Sequence, residues 1–424
     1  MPDADVCVYG LGYIGLPTAA VLADTGHDVT GYDVDTGLLE SLRNGDVPVD
    51  EAGLADLVAD VVEDGSLSLS AIPVEADYHV VCVPTPLGDG GQSADLGMVE
   101  AAAEAAAAVL TPGTTVILES TVPPGTTAER VGPILEASGL VAGEDFGLAF
   151  SPETVLPGNI LRELRTNNRI VGGIDDASTV AGTHLYDSFV DGDIHETDAT
   201  TAEMAKLSQN TFRDVNIAYA NELAMIAREN GVDSAELVDL ANTHPRVTVH
   251  RPGPGVGGHC IPIDPWFLIE DTDRDALVGT ARDVNDSMVD YVVGMLREEL
   301  GPLADRTVGV AGLAYKGNVS DARESPGLRV VERLRNETGA TVLVNDPHVE
   351  DSDLELLPMD DLLGRSDGVV VTTDHDEYAA YRPPKETQTD PVVLQDGSGG
   401  IVVDTKRVLD EEAWTESGYR LIQL

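Results

Sequence analysis

The first pattern along the chain is a continuous apolar run of strand length at residues 4–10, ADVCVYG. So short a run, closed by glycine, predicts a parallel strand buried on both faces. An apolar-periodic stretch from about 14 to 25 predicts a helix, and VTGYD predicts a second strand ending at Asp33. The alternation continues with strands at YHVVCVP (78–84), TTVILEST (114–121), LAFSPE (148–153) and RIVGG (169–173), and with an alanine-rich helix at 98–110. This order predicts a doubly wound α/β sheet. Cys7 and Cys82 fall in strand runs and read as small core residues.

Near residue 198 the register becomes helical and stays so to Gly231, longer than an ordinary globular helix. It predicts a spine between domains. Further helices extend to about 300, interrupted by a Pro/Gly-rich loop at 251–265. A second strand–helix alternation then runs through 306–315, 341–346, 368–374 and 400–404. The expected domains are 1–197 (α/β), 198–300 (helical) and 301–424 (α/β).

Composition adds one large fact. Asp and Glu number 75 against 25 Lys and Arg, a net charge of −50. That surface repels nucleic acid and anionic membranes, so neither is expected as a partner. The acid is spread along a chain with strong apolar periodicity, which fits a salt-rich cytoplasm better than a disordered acidic tail. Only four basic residues are lysines: Lys206, Lys316, Lys385 and Lys406. No apolar run reaches membrane-spanning length and no secretion signal opens the chain, so a soluble cytoplasmic protein is expected. Three scattered cysteines fit neither a disulfide framework nor a multi-cysteine zinc site, and no metal is expected.

Against this background four motifs carry chemistry. GLGYIG (10–15) has G-x-G-x-x-G spacing, follows a strand and opens a helix, with Asp33 ending the next strand. Gly10 permits the turn, Gly12 lets a pyrophosphate approach and Gly15 packs helix on sheet, while Asp33 suits ribose hydroxyls and so favours NAD over NADP. VGGHC (256–260) puts Cys260 beside His259 and four residues before Asp264, where a thiol serves either as a structural residue or as a nucleophile. Lys206, Asn210 and Arg213 share one helical face, either as a solvated stripe or as donors to an oxyanion or proton shuttle. SPE (151–153), STVPPG (120–125) and VPTP (83–86) follow strands at the sheet edge where such folds bind ligands.

Taken together, GLGYIGLP, VPTP, STVPPGT, SPE, AKLSQNTFRD, HPRV, GPGVGGHCIPIDPWF, GLAYKGNVSDARESP and VVDTKRV resemble, in order and over essentially the whole chain, the nucleotide-sugar 6-dehydrogenases of the UDP-glucose/GDP-mannose dehydrogenase family. The resemblance is strongest to its N-acetylhexosamine branch. It implies two Rossmann-like domains joined by a helical domain that makes a homodimer interface. It also implies a UDP-sugar substrate, UDP-N-acetyl-D-mannosamine before UDP-N-acetylglucosamine or UDP-glucose. Cys260 would be the nucleophile, Lys206 and Asn210 the oxyanion and proton-transfer pair, and Asp264 the activator of water or thiol. Glu153 would assist thioester hydrolysis and Thr121 would position water beside the nicotinamide. Tyr13, Ile14, Thr85 and Arg323 would join Asp33 and the glycines as NAD contacts. Thr154, Val155, Arg213, Gly257, Tyr315, Lys316 and Lys406 would contact substrate with Lys206 and Asn210, and His244 and Arg246 would reach into the neighbouring subunit.

Three departures from the family pattern stand out. Lys406 replaces an Arg of the glucose branch, giving a point charge for a bidentate fork. Gly317 replaces a common Pro, which predicts a looser loop. Ile263 stands where the glucose branch has Lys. The implied reaction takes an alcohol to a carboxylate through a thiohemiacetal and a thioester on Cys260, consuming two NAD. A two-electron β-hydroxyacid dehydrogenase would need neither Cys260 nor residues 306–424, and a non-catalytic sugar-nucleotide sensor would not need Cys260, Lys206, Asn210 and Asp264 together.

Overall fold

The computed structural model describes residues 4–49, 51–88, 90–156, 158–350, 353–383 and 400–424. Lys385 lies outside the described residues. The chain forms two compact units, Met1–Gln209 with Trp266–Asp271, and Asn210–Pro265 with Thr272–Leu424.

In the first unit eight strands form one sheet. They are β1 (Asp5–Tyr9), β2 (Asp28–Tyr32), β3 (Leu67–Ser70), β4 (Tyr78–Val81), β5 (Thr115–Leu118), β6 (Gly147–Phe150), β7 (Arg169–Gly173) and β8 (Ile194–Asp198), in the order β3-β2-β1-β4-β5-β6-β7-β8. Every pair is parallel except β6 with β7. Val6, Val8 and Val80 join one apolar cluster and Cys7, Tyr9 and Val81 another, so the sheet is buried on both faces. That explains the continuous apolar runs of its central strands. β3 and β8, LSLS and IHETD, were not anticipated; as edge strands they are only partly covered and carry no such run.

Among the described residues of the second unit five parallel strands form one sheet, β9 (Thr307–Ala311), β10 (Thr341–Asn345), β11 (Gly368–Val371), β12 (Ile401–Asp404) and β13 (Arg420–Gln423), ordered β10-β9-β11-β12-β13. The helix Ala276–Leu300 places Val289, Val292, Val293 and Leu296, one helical stripe, in the same core as Val308 and Val310. The helix Ala199–Glu229 has 31 residues and runs from the first unit into the second. Among the described residues no helix is long and apolar enough to cross a membrane.

Candidate active site

The nucleotide cradle of the first unit is set by backbone geometry. Gly10 has φ +87°, and a Cβ there would lie 2.7 Å from the Cys82 carbonyl oxygen. A Cβ on Gly15 would lie 1.9 Å from the Gly10 carbonyl oxygen, whereas one on Gly12 would meet open space. The loop thus folds tightly on itself and leaves room above Gly12. The helix Gly15–Asp24 starts without a side-chain cap, as suits a phosphate-facing N-terminus. Asp33 accepts the Leu11 N–H at 2.8 Å and the Asp35 N–H at 2.8 Å, which ties the carboxylate to the glycine loop. Tyr13 is exposed; Ile14 and Thr85 are half-buried. These residues fit a dinucleotide.

Next along the sheet, Ser120 Oγ accepts the Val83 N–H (2.9 Å) and donates to the Val83 carbonyl (2.8 Å), joining the loop of Thr121 to that of Thr85. Buried Glu203, three residues before Lys206 on the long helix, accepts the N–H groups of Gly125 (2.5 Å) and Thr127 (2.8 Å). Glu153 Oε1 accepts the N–H groups of Thr154 (2.5 Å) and Val155 (2.9 Å), and its Oε2 accepts from Arg169 Nη1 at 2.9 Å. Lys206 is buried.

Arg169 was not singled out by its sequence. Its Nε donates to Ser151 Oγ at 2.9 Å, its Nη2 donates to Glu119, and its guanidinium lies 3.9 Å over the Tyr186 ring. Tyr186 OH donates to Glu119 Oε1 at 2.6 Å. Cys82 stands just past β4 and packs against the apolar core, and its thiol also donates to Glu119 Oε2 at 3.0 Å. Burial, reinforced by the Glu119 charge, pushes that thiol well above its ordinary range, so it is a protonated donor. Burial likewise raises Glu119, against the pull of Arg169.

In the second unit Asp264 opens a short helix, and its N–H returns to the Cys260 carbonyl at 2.9 Å. Cys260 is exposed, whereas Asp264 is buried and accepts from Asn210 Nδ2 at 2.6 Å. Thiol, carboxylate and amide thus belong to one local assembly. The loop leading to Cys260 is pinned behind by a buried network. Arg282 Nη1 (2.6 Å) and Asn285 Nδ2 (2.8 Å) both donate to Asp214, Asn221 donates to Asn285 at 2.9 Å, and Asn221 Oδ1 accepts the Gly253 N–H at 2.8 Å. His259 is held below its usual pKa by burial and by the Arg323 charge, so it is neutral at pH 7.

Tyr315 packs on the same loop. A Cβ on Gly257 would lie 3.0 Å from Tyr315 Cβ and 2.7 Å from the Glu324 carbonyl oxygen, so glycine permits the approach. Burial, Asp321 and neighbouring Cys260 together raise the Tyr315 phenol. A Cβ at Gly253 would stand 3.8 Å from Lys406 Nζ, which itself lies 3.7 Å from Asp374. Gly317 corrects the expectation of a loosened loop. A Cβ there would be 2.3 Å from the Asp374 carbonyl oxygen, and next to it the Asn318 N–H donates to His375 Nδ1 at 3.0 Å. Only glycine lets this loop pack so closely.

Among the described residues three non-glycine positions have positive φ, Asn318 (60°), Glu324 (52°) and Arg407 (52°), each within two residues of Lys316, Arg323 or Lys406. Each costs on the order of 1 kcal/mol and is held by its surroundings, Arg407 by Asp233 at 2.8 Å and the Leu424 carbonyl at 2.8 Å. Lys316, Arg213, His244 and Arg246 are exposed, and the guanidinium of exposed Arg323 grips Asp321 at 2.9 and 2.7 Å. His348, His375 and Glu377 cluster at metal-ligand spacing. His375, however, accepts the Asn318 N–H on Nδ1 and faces Asp346 with Nε2 (3.1 Å), which leaves it no lone pair for an ion.

The three domain descriptions of the UDP-glucose/GDP-mannose dehydrogenase family match successive parts of the chain: NAD binding domain at 4–190, central domain at 200–287 and UDP binding domain at 309–411. A UDP-N-acetyl-D-mannosamine dehydrogenase of Methanococcus maripaludis is 42% identical over 98% of this chain and 95% of its own length. An NDP-N-acetyl-D-galactosaminuronic acid dehydrogenase of Ralstonia nicotianae is 43% identical over 88% of this chain and 91% of its own. A solved UDP-D-ManNAc dehydrogenase from Pyrococcus horikoshii superposes with TM-score 0.88 at 38% identity, covering 99% of this chain and 98% of that one.

Proposed function

The chain belongs to the UDP-glucose/GDP-mannose dehydrogenase family and is an NAD-dependent dehydrogenase, and from that premise we propose that it oxidises C6 of a UDP-N-acetylhexosamine, UDP-N-acetyl-D-mannosamine first, to the carboxylate. The observation that carries the mechanism is the exposed Cys260 one turn before buried Asp264, itself bonded to Asn210 at 2.6 Å. Bound NAD supplies a two-electron acceptor, and two are consumed per sugar. Lys206 and Asn210 provide donors for the developing oxyanion and for proton transfer at O6. Cys260 Sγ adds to the aldehyde carbon as a thiohemiacetal, which holds the intermediate and becomes a thioester after the second oxidation. Glu153 serves the hydrolysis that frees the acid, and Thr121 orders the water.

The NAD contacts in this reading are Gly10, Gly12, Tyr13, Ile14, Gly15, Asp33, Thr85, Thr121 and Arg323. Arg213, Gly257, Tyr315, Lys316 and Lys406 bind the UDP-sugar with Thr154 and Val155. Relatives named for N-acetylmannosamine support that choice of sugar. The enzyme works as a homodimer in a salt-rich cytoplasm, with His244 and Arg246 acting in the partner subunit's site. In support, exposed Phe212, Tyr219 and Ile226 recur every seven residues on the long helix.

The test is NADH release over a panel of UDP-sugars in molar KCl. Two NADH per UDP-N-acetyl-D-mannosamine, at a rate at least ~10³ above that of Cys260→Ser, is expected. A preference for UDP-N-acetylglucosamine, UDP-N-acetylgalactosamine or UDP-glucose would reassign the sugar. Two NADH at wild-type rate from Cys260→Ser would overturn the covalent route.

A further inference from the structure

Arg169 opens β7, and every one of its donating nitrogens is committed to a loop at the far end of β5 or β6. Nε goes to Ser151 (2.9 Å), Nη1 to Glu153 Oε2 (2.9 Å) and Nη2 to Glu119. The side chain is 5% exposed and Glu119 is 1% exposed, so this is an interior ion pair and not a surface contact. Tyr186 holds the arrangement from both sides, its ring beneath the guanidinium and its hydroxyl on Glu119 (2.6 Å), and Cys82 occupies the other Glu119 oxygen (3.0 Å). A guanidinium stacked on a ring and bonded at three corners cannot rotate. Ser151 and Glu153 both lie in the SPE loop, and Glu153 is the member of the group whose carboxylate is read as taking part in the reaction. Its Oε1 is fixed by two backbone N–H groups and its Oε2 by Arg169 alone among these contacts.

We infer that Arg169 is the positioning residue of Glu153, with Glu119, Tyr186 and Cys82 as the frame that fixes Arg169. The inference rests on the reading of Glu153 as the group that serves thioester hydrolysis. In that step a water oxygen bonds to the thioester carbonyl carbon while Glu153 takes the water proton. The C–S bond then breaks, Cys260 Sγ leaves as thiolate with the bonding pair, and the sugar acid is released. Both hydride transfers precede this step, so loss of Glu153 alignment slows deacylation and spares them. A single ammonium reproduces the charge of Arg169 but not the three-cornered fork.

Arg169→Lys and Glu153→Gln are compared with wild type, using NAD and UDP-N-acetyl-D-mannosamine in molar KCl, by stopped-flow NADH formation and by intact mass during turnover. The expected result for Arg169→Lys is a retained NADH burst and a steady-state rate lower by ~10²-fold, the scale of an ångström-level misplacement. A sugar-acyl adduct on Cys260 should build up, with NAD affinity unchanged. A purely structural role would lower the melting temperature and active fraction without accumulating that adduct. If Arg169→Lys does not fold, the charge-matched Arg169→Gln/Glu119→Gln protein is measured the same way. Accumulation in Glu153→Gln but not in the Arg169 variants overturns the inference and leaves the reading of Glu153 intact; no accumulation in Glu153→Gln overturns both.

Discussion

Asn210 and Asp264 form a single hydrogen-bonded unit: the amide donates to the carboxylate at 2.6 Å, and both side chains are buried. Asn210 lies four residues after Lys206 on the long helix, and Asp264 four after Cys260. One hydrogen bond thus ties together the far ends of two i, i+4 pairs, one within the long helix and one across the turn that leads into the helix Asp264–Ile269. Asn210→Ala is expected to lower stability by ~1–3 kcal/mol, since a buried carboxylate loses a donor. It should also lower kcat by ~10²–10³, the scale for removing one oxyanion donor. Thermal melts and single-turnover NADH formation separate the two effects. A shifted melt with unchanged kcat would make the amide a clamp only.

The exposed stripe of Phe212, Tyr219 and Ile226 makes the quaternary prediction specific. Tyr219→Glu should shift the enzyme to a monomer in sedimentation experiments and abolish activity. Mixing Arg246→Ala with Cys260→Ala subunits should restore part of the activity, because each hybrid dimer would retain one complete site. Hybrids that form and stay inactive would place Arg246 in its own subunit's site or outside any.

A net charge of −50 makes the folded chain repel itself, and salt screens that repulsion. Dialysis from molar KCl to ~0.1 M salt, where the Debye length is ~10 Å, should lower the melting temperature sharply. A melting temperature indifferent to salt would remove the halophilic reading.

Buried His79, beside Tyr9 OH at 2.9 Å, has its pKa lowered by burial to about 4. In the unfolded chain its pKa is ~6.5, so as pH falls the unfolded state takes the proton first. The contribution is complete above pH ~6.5 and lost progressively toward pH 4, up to roughly 3 kcal/mol. His79→Gln should therefore flatten the acid limb of the stability profile between those values. Parallel acid limbs for variant and wild type would show that His79 is not the titrating group.

How much of this was legible in the sequence follows from distance along the chain. The glycine loop and Asp33 lie within 24 residues, and their geometry is backbone geometry, so spacing alone predicts the cradle. Lys206 with Asn210, and Cys260 with Asp264, are i, i+4 pairs that any helical turn brings near each other. The central strands are legible because burial on both faces demands unbroken apolar runs, while edge strands such as IHETD escape that demand. Arg169, Glu119 and Cys82 were not legible as a group. They lie up to 87 residues apart in sequence, and with 75 acids in the chain no single Glu announces itself. Gly317 read as slack because its neighbour Asp374 is 57 residues away in the sequence. Local spacing fixes what the backbone does by itself. Which charges leave water, and which partner meets each of them there, is decided only when distant strands are laid side by side, because the cost of burying a charge depends on partners that only tertiary packing supplies.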